Sequence, residues 1–366
     1  MKDAKVDKDE ILALAAGVLK TEVVSQENYH TKDAFGIDVV VRVVVDTSVL
    51  EGRVKKLLQD RTHLDQLNQA RKKEKELLDK IAILEKENRK PTAKKGSRKN
   101  LKKKFEKVSQ GMTAVGWFDK AGGLWDGGKN TDPKRAIGYL NNAIKLQPDY
   151  TFAYNARGIA YAHLGQHQHA IQDYDTAIRL EPDIAKAYNN RGVSYGNLGQ
   201  HQRAIQDYDK AIILKPNDAS AYNNRGIAYA GLGHYQRAIE DYNTAIILQR
   251  DDADAYYNRG IVYGEYLGQH QRAIEDFNET IRLKPTDAFA YYSRGIAYGN
   301  MERYDDAINS FRQALRINPT YAEAWENLGK AYDISGNKTA ALDAVRELRR
   351  LNPAKADELF NLIVPR

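Results

Sequence analysis

The stretch from Tyr154 to Lys215 nearly restates itself after 34 residues, and that period governs most of the chain. Tyr154, Tyr188, Tyr222, Tyr256 and Tyr291 share one column of the repeat, and Gly158, Gly192, Gly226, Gly260 and Gly295 share another. A period of this length marks small supersecondary units that bury their apolar faces on one another, not residues gathered round a single globular core. The expectation is a solenoid, and a binding role for it.

Each unit reads as two helices, A and B. In Ala185 to Asp218, Tyr188, Gly192 and Tyr195 fall on helix A and a turn follows around Gly199. Ala204, Tyr208 and Ala211 fall on helix B, which Pro216 ends. This pattern resembles the tetratricopeptide repeat, with its spaced W-x2-L-G-x2-Y, A, F, A and P. The resemblance implies a mainly α protein, a right-handed α-solenoid of helix pairs that serves as a protein-protein interaction scaffold.

Six units are clear: 151–184, 185–218, 219–252, 253–287, 288–321 and 322–355. A degenerate one, Ala114 to Tyr150, places Trp117, Ala121, Leu124, Ala136, Leu140, Ala143 and Pro148 suitably but carries extra residues near its turn. The array is thus expected over 114–355, with 356–366 as a capping helix over its last apolar face. Two departures stand out. The fourth unit holds one extra residue in GEYLGQH, which its turn or helix end must absorb. The third has Arg250 where others have proline, which predicts a longer helix B.

The amino-terminal third divides into a partial α/β unit over 1–49, a long helix or coiled coil over 50–90, and a basic linker and helix over 91–113. Asp9 to Lys20 has a helical apolar face. Thr21 to Tyr29 reads as a strand, and Ile37 to Val45 alternates as a half-buried strand does. These residues resemble the closing part of a small α/β domain found near the start of some bacterial envelope proteins, which implies strands and a signal upstream of Met1. The alternative is a hairpin packed on its own helix and the coil. Seams of Leu50, Val54, Leu57, Arg61 and Leu64, then Leu67, Ala70, Glu74, Leu77, Ile81, Leu84 and Asn88, follow a heptad that slips by one residue. Self-association through this coil or the valine-rich strand, and docking as a single helix, both remain open.

The net charge of +7 is local. Ten basic residues against Glu106 lie between Arg89 and Lys107, and subtracting that +9 leaves −2 for the remaining chain. Lys94, Lys95, Arg98, Lys99, Lys102, Lys103 and Lys104 offer anion binding, which supports an alternative reading as an adaptor directed to nucleic acid or a membrane surface. The competing reading is a solvated linker. Zero cysteines exclude disulfides and thiolate metal sites. The charged start lacks the apolar region of a secretion signal, so the chain reads as cytoplasmic as written, or as periplasmic if a signal precedes it.

Catalytic chemistry finds no foothold. No phosphate loop, serine elbow or paired-carboxylate site stands out, and neither cofactor nor metal is expected. His167, His169 and His201 invite a zinc reading, but Tyr235 and Tyr304 occupy the column of His167 and His201. Fourteen of the 23 tyrosines fall in three core columns, beginning at Tyr154, Tyr161 and Tyr174.

Two other columns are distinctive. Arginine replaces the customary leucine at Arg157, Arg191, Arg225, Arg259 and Arg294, giving way to Leu328 in the last unit. Asp173, Asp207, Asp241 and Asp276 recur on helix B, followed by Ser310. Because Leu328 follows Ser310, the expected pairing runs between units: Arg191 with Asp173, Arg225 with Asp207, Arg259 with Asp241, Arg294 with Asp276. Beside the arginines, Asn190, Asn224, Asn258 and Asn327 form a column with Ala156 and Ser293, on the concave surface expected from the A helices. Such amides donate to and accept from an extended peptide backbone. The column resembles the asparagine ladder of the tetratricopeptide superhelix in glycosyltransferases of nuclear proteins. The alternative is that asparagine is simply common there. Ile159, Ile227 and Asn155 stand where a clamp for free carboxyl-terminal tails needs cations.

Overall fold

The computed structural model describes residues 19–30, 35–45, individual positions between 69 and 108, and residues 111–126 and 129–364. They belong to two units, Met1–Gly116 and Trp117–Arg366.

In the first unit, β1 (Leu19–His30) and β2 (Phe35–Val45) form an antiparallel hairpin, with Leu19 opposite Val45 and His30 opposite Phe35. The register shifts between Val23 and Ser25, a local irregularity of the kind that twists an edge and makes it a poorer template. Leu19 and Lys20, expected to end a helix, instead open β1, because pairing with Val45 and Val44 extends the ladder. The rest of that helix lies outside the described residues. The described positions between 69 and 86 are helical. Ile81 there is fully buried while Leu77 and Leu84 are half-buried, so burial follows the expected seam over those turns. The remainder of the seam lies outside the described residues.

From Ala114 onward the chain is a run of helix pairs. α1 (Ala114–Gly122) and α2 (Pro133–Leu146) form the degenerate repeat, and the extra residues make a two-residue ladder of β3 (Trp125–Asp126) and β4 (Lys129–Asn130). Asp132 caps α2 by accepting from the Arg135 backbone N–H, and Pro133 fills the first turn, where no donor is needed.

The six regular pairs follow: α3 (Thr151–His163) with α4 (His167–Leu180), α5 (Ala185–Asn197) with α6 (His201–Leu214), and α7 (Ala219–Gly231) with α8 (Tyr235–Leu248). Then come α9 (Ala253–Ile261) with α10 (His270–Leu283), α11 (Ala288–Asn300) with α12 (Tyr304–Ile317), and α13 (Ala322–Ile334) with α14 (Lys338–Leu351). From α2 onward each helix packs on its sequence neighbours, as a solenoid requires. In the tight A-to-B turns Gly199 and its equivalents take positive φ, a conformation glycine adopts without steric cost. The fifth unit puts Glu302 there, at φ 59°.

Glycine has a second use where helices A and B cross. A Cβ on Gly192 would stand 2.6 Å from Cε1 of Tyr208, and Gly158, Gly226, Gly260 and Gly295 face Tyr174, Tyr242, Phe277 and Phe311 in the same way. The aromatic ring stands where a side chain would be, so each pair closes around a buried ring. The last unit has Val345 in place of the ring, and α15 (Pro353–Ile363) supplies Leu359, which takes up the space beside Gly329.

The extra residue of the fourth unit is absorbed at the end of its helix A. Val262–Tyr266 winds as a π-helix, with the Leu267 N–H bonded to the Val262 carbonyl at 3.2 Å, and Tyr266 lies stacked on Tyr235 with ring centroids 4.6 Å apart. Deleting the exposed Glu265 should therefore restore an unbroken α-helix. The thermal midpoint is expected to stay within about 4 °C of the parent, equivalent to less than about 1 kcal/mol in a domain of this size. Circular dichroism melts check this.

The longer helix expected before Arg250 does not form. α8 has the same 14 residues as α6, and the Gln249 N–H closes it on the Ala245 carbonyl. The chain then turns because Asp252 caps α9, accepting from the N–H groups of Asp254 and Ala255, so a cap on the next helix does the work of the missing proline.

Candidate functional site

Two networks run along the array, one joining A helices and one joining B helices through the arginines. The A-helix network is built from neighbouring columns. Asn190 Nδ2 donates to Asn155 Oδ1 of the preceding unit at 3.2 Å, Asn224 to Asn189 at 3.1 Å, and Asn258 to Asn223 at 3.1 Å. The ladder continues with different chemistry: Ser293 Oγ lies 3.3 Å from the Tyr257 hydroxyl, and Asn327 donates to the Tyr292 hydroxyl at 3.0 Å. All five predicted residues of this column thus meet the unit before them. The partners, Asn155, Asn189, Asn223, Tyr257 and Tyr292, were visible as a second polar column one residue earlier. What a single column could not show is that the two interlock across units.

This pairing uses part of each amide. Asn190 and Asn224 keep one N–H and Oδ1 without a protein partner among the described residues, and Asn189 keeps both amide N–H groups. These side chains are half-buried, so the unused groups sit at a surface held in fixed orientation by their neighbours.

The arginine network corrects the expected pairing. Arg157, Arg191, Arg225 and Arg259 grip Asp173, Asp207, Asp241 and Asp276 of their own units through Nε and Nη2, at 2.6–2.9 Å. Helix A lies directly against its own helix B, so the bidentate geometry is reached within the pair. Arg294 meets Ser310 Oγ at 3.2 Å, so the mismatch that argued for pairing between units is real and tolerated. The link between units exists but uses another column: Nη1 reaches Asn141, Asp175, Asp209, Asn243 and Asn278 of the preceding helix B. Those residues lie two positions beyond the aspartate column and mix acid with amide, which hid them.

The aspartates are 4–5% exposed. Burial pushes the Asp207, Asp241 and Asp276 carboxyls above their ordinary value, against the pull of the paired arginines. At Arg191 burial works the other way, yet the hydrogen bonds and charges of Asp207 and Asp175 outweigh it and hold the guanidinium firmly protonated. Desolvation cancels much of the attraction, so the pairs set the register of the stack more than they stabilise it. Each arginine also stacks near a tyrosine of its own helix, as Arg225 does with Tyr222 at 5.5 Å.

Among the described residues no group of histidine and carboxylate side chains is arranged to hold a metal ion. No helix among them is long and apolar enough to cross a membrane. Of the basic segment, Lys103 and Lys104 are helical and exposed, while Lys94, Lys95, Arg98, Lys99 and Lys102 lie outside the described residues.

Comparison with known proteins agrees with this geometry. Tetratricopeptide-repeat profiles match residues 160–199, 192–259, 253–287, 288–321 and 310–343. No curated protein matches the chain. Among solved structures, MamA is 32% identical over 45% of this chain and 96% of its own, with a TM-score of 0.41. The PilF protein of Pseudomonas aeruginosa is 18% identical over 58% of this chain and 97% of its own, at 0.52. The Cut9–Hcn1 assembly of the APC/C is 19% identical over 71% of this chain and 52% of that chain, at 0.55. The present chain therefore spans about half the length of that last relative. With consecutive helix pairs, the glycine-aromatic crossing and five matched stretches, the chain belongs to the tetratricopeptide-repeat proteins, a family of protein-interaction scaffolds.

Proposed function

We propose that the array is a non-enzymatic scaffold that binds an extended peptide, or an extended segment of a partner protein, along the asparagine face of its A helices. The observation that carries this reading is the interlocked amide ladder. Packing between units consumes one donor and one acceptor per step and leaves further donors and acceptors, oriented and half-buried, on the same face. A peptide backbone offers the matching alternation of N–H and C=O groups, so main-chain recognition supplies affinity with little demand on sequence.

The test uses a phage-displayed library of random peptides selected on the full chain. Selected peptides are expected to lose at least about tenfold in affinity, or 1.4 kcal/mol, on the triple substitution Asn190→Ala, Asn224→Ala and Asn258→Ala. Circular dichroism monitors folding. Unchanged affinity in a folded triple variant would place the binding surface elsewhere.

A further inference from the structure

The crevice that holds each arginine is filled in five units and open in the sixth. In the first five, an A-helix guanidinium lies between its own helix B and the preceding one, against Asp or Ser on the first and Asp or Asn on the second. In the sixth, all three positions change together. The arginine becomes Leu328, the buried aspartate becomes Ala344, and the acid or amide of the preceding helix becomes Arg312. The result is a cavity of about 510 Å³ between α12, α13 and α14, within the range of about 300–1,000 Å³ usual for ligand pockets.

Its chemistry is the reverse of the filled crevices. The floor is apolar, with buried Leu315, Leu328 and Ala344, and Trp325 forms a wall held by a 2.9 Å bond from its indole N–H to the Pro319 carbonyl. The rim is cationic. Asp343 and Glu347 also line it, but each is paired, with Arg346 and Arg350. Arg312 and Arg316 are exposed and have no carboxylate partner among the described residues. An apolar hole beneath two uncompensated guanidinium groups selects a ligand that is apolar at one point and anionic around it.

We infer that this crevice is a second docking site, separate from the asparagine face, for an acidic peptide segment whose bulky apolar side chain enters between α12, α13 and α14 while flanking carboxylates meet Arg312 and Arg316. The apolar anchor supplies buried area, and the arginines, rigid forks suited to carboxylates, supply the selection for acidic flanks.

The probe is a short fluorescein-labelled peptide with a central phenylalanine flanked by glutamates, titrated against the full chain by fluorescence anisotropy. It is expected to bind. A version with lysines for glutamates and a version with serine for phenylalanine are each expected to bind at least about tenfold more weakly. Arg312→Glu with Arg316→Glu, both exposed positions, should weaken binding by a similar factor. Leu328→Arg with Ala344→Asp should abolish it by rebuilding the pair found in the other units. The Asn190→Ala, Asn224→Ala and Asn258→Ala variant should bind as the parent does, so the outcome is independent of the asparagine-face reading. Absence of binding up to about 1 mM, equal binding of the lysine peptide, or undiminished binding by the rebuilt-pair variant would each overturn the assignment.

Discussion

Arg225→Leu is expected to lower stability by about 3–5 kcal/mol, the usual cost of removing one partner of a buried ion pair. Asp241, 5% exposed, would lose both of its hydrogen bonds to the guanidinium, while Asp209 is more exposed and would remain solvated. The informative comparison is with the second site. Adding Asp241→Ala reproduces the combination of Leu328 and Ala344 that the sixth unit carries natively, and should recover most of the loss. Adding Asp207→Ser instead should recover nothing and cost more, because Asp207 belongs to Arg191. Urea denaturation of the parent and the three variants decides the matter: recovery with Asp207→Ser would mean that the pairs run between units after all. Coupling between neighbouring repeats spreads the loss along the array, so the full chain is the right object to measure.

That comparison also shows what kind of information the sequence held. The 34-residue period and the identity of the core columns were legible, because packing constrains residue size at fixed offsets and every unit repeats the constraint. Partner choice was not. The covariation of Leu328 with Ser310 suggested contacts between units, yet Arg294 bonds Ser310 within its own unit and takes its link to the preceding unit from Asn278. A hydroxyl accepts from a guanidinium as an aspartate does, so a change of residue type did not mean a change of partner. The insertion in the fourth unit was visible as a count, whereas its resolution as a π-helix at Val262–Tyr266 depended on whether the turn or the helix yields more easily. The third unit failed for a similar reason, since the capping aspartate, Asp252, mattered more than the absent proline. The open crevice at Leu328 and Ala344 was present in the columns as two missing polar residues. Its meaning depends on Arg312, whose column is identified by the contacts of the arginines with Asp175 and Asp209.

The crossing glycines carry the other large expected effect. Gly226→Ala would place a Cβ 2.6 Å from Cε1 and 2.9 Å from Cδ1 of Tyr242, a ring 1% exposed that has no room to withdraw. Alanine gains about 1 kcal/mol over glycine in a helix interior, but forcing a methyl group into a packed core costs about 1–3 kcal/mol and more where backbone must move. The net expectation is a loss of about 2 kcal/mol, with α7 and α8 forced apart. Gly329→Ala provides the contrast. Its Cβ would meet the far end of Leu359, a side chain that can turn aside, so its loss should be clearly smaller. Combining Gly226→Ala with Tyr242→Val, which copies the Val345 of the last unit, should not restore the parent, because no equivalent of Leu359 stands ready to fill the space the ring leaves. Full recovery in that double variant would show that the ring only occupies volume. Incomplete recovery would show that glycine and ring are a matched pair, needed at each step because the array closes its core one crossing at a time.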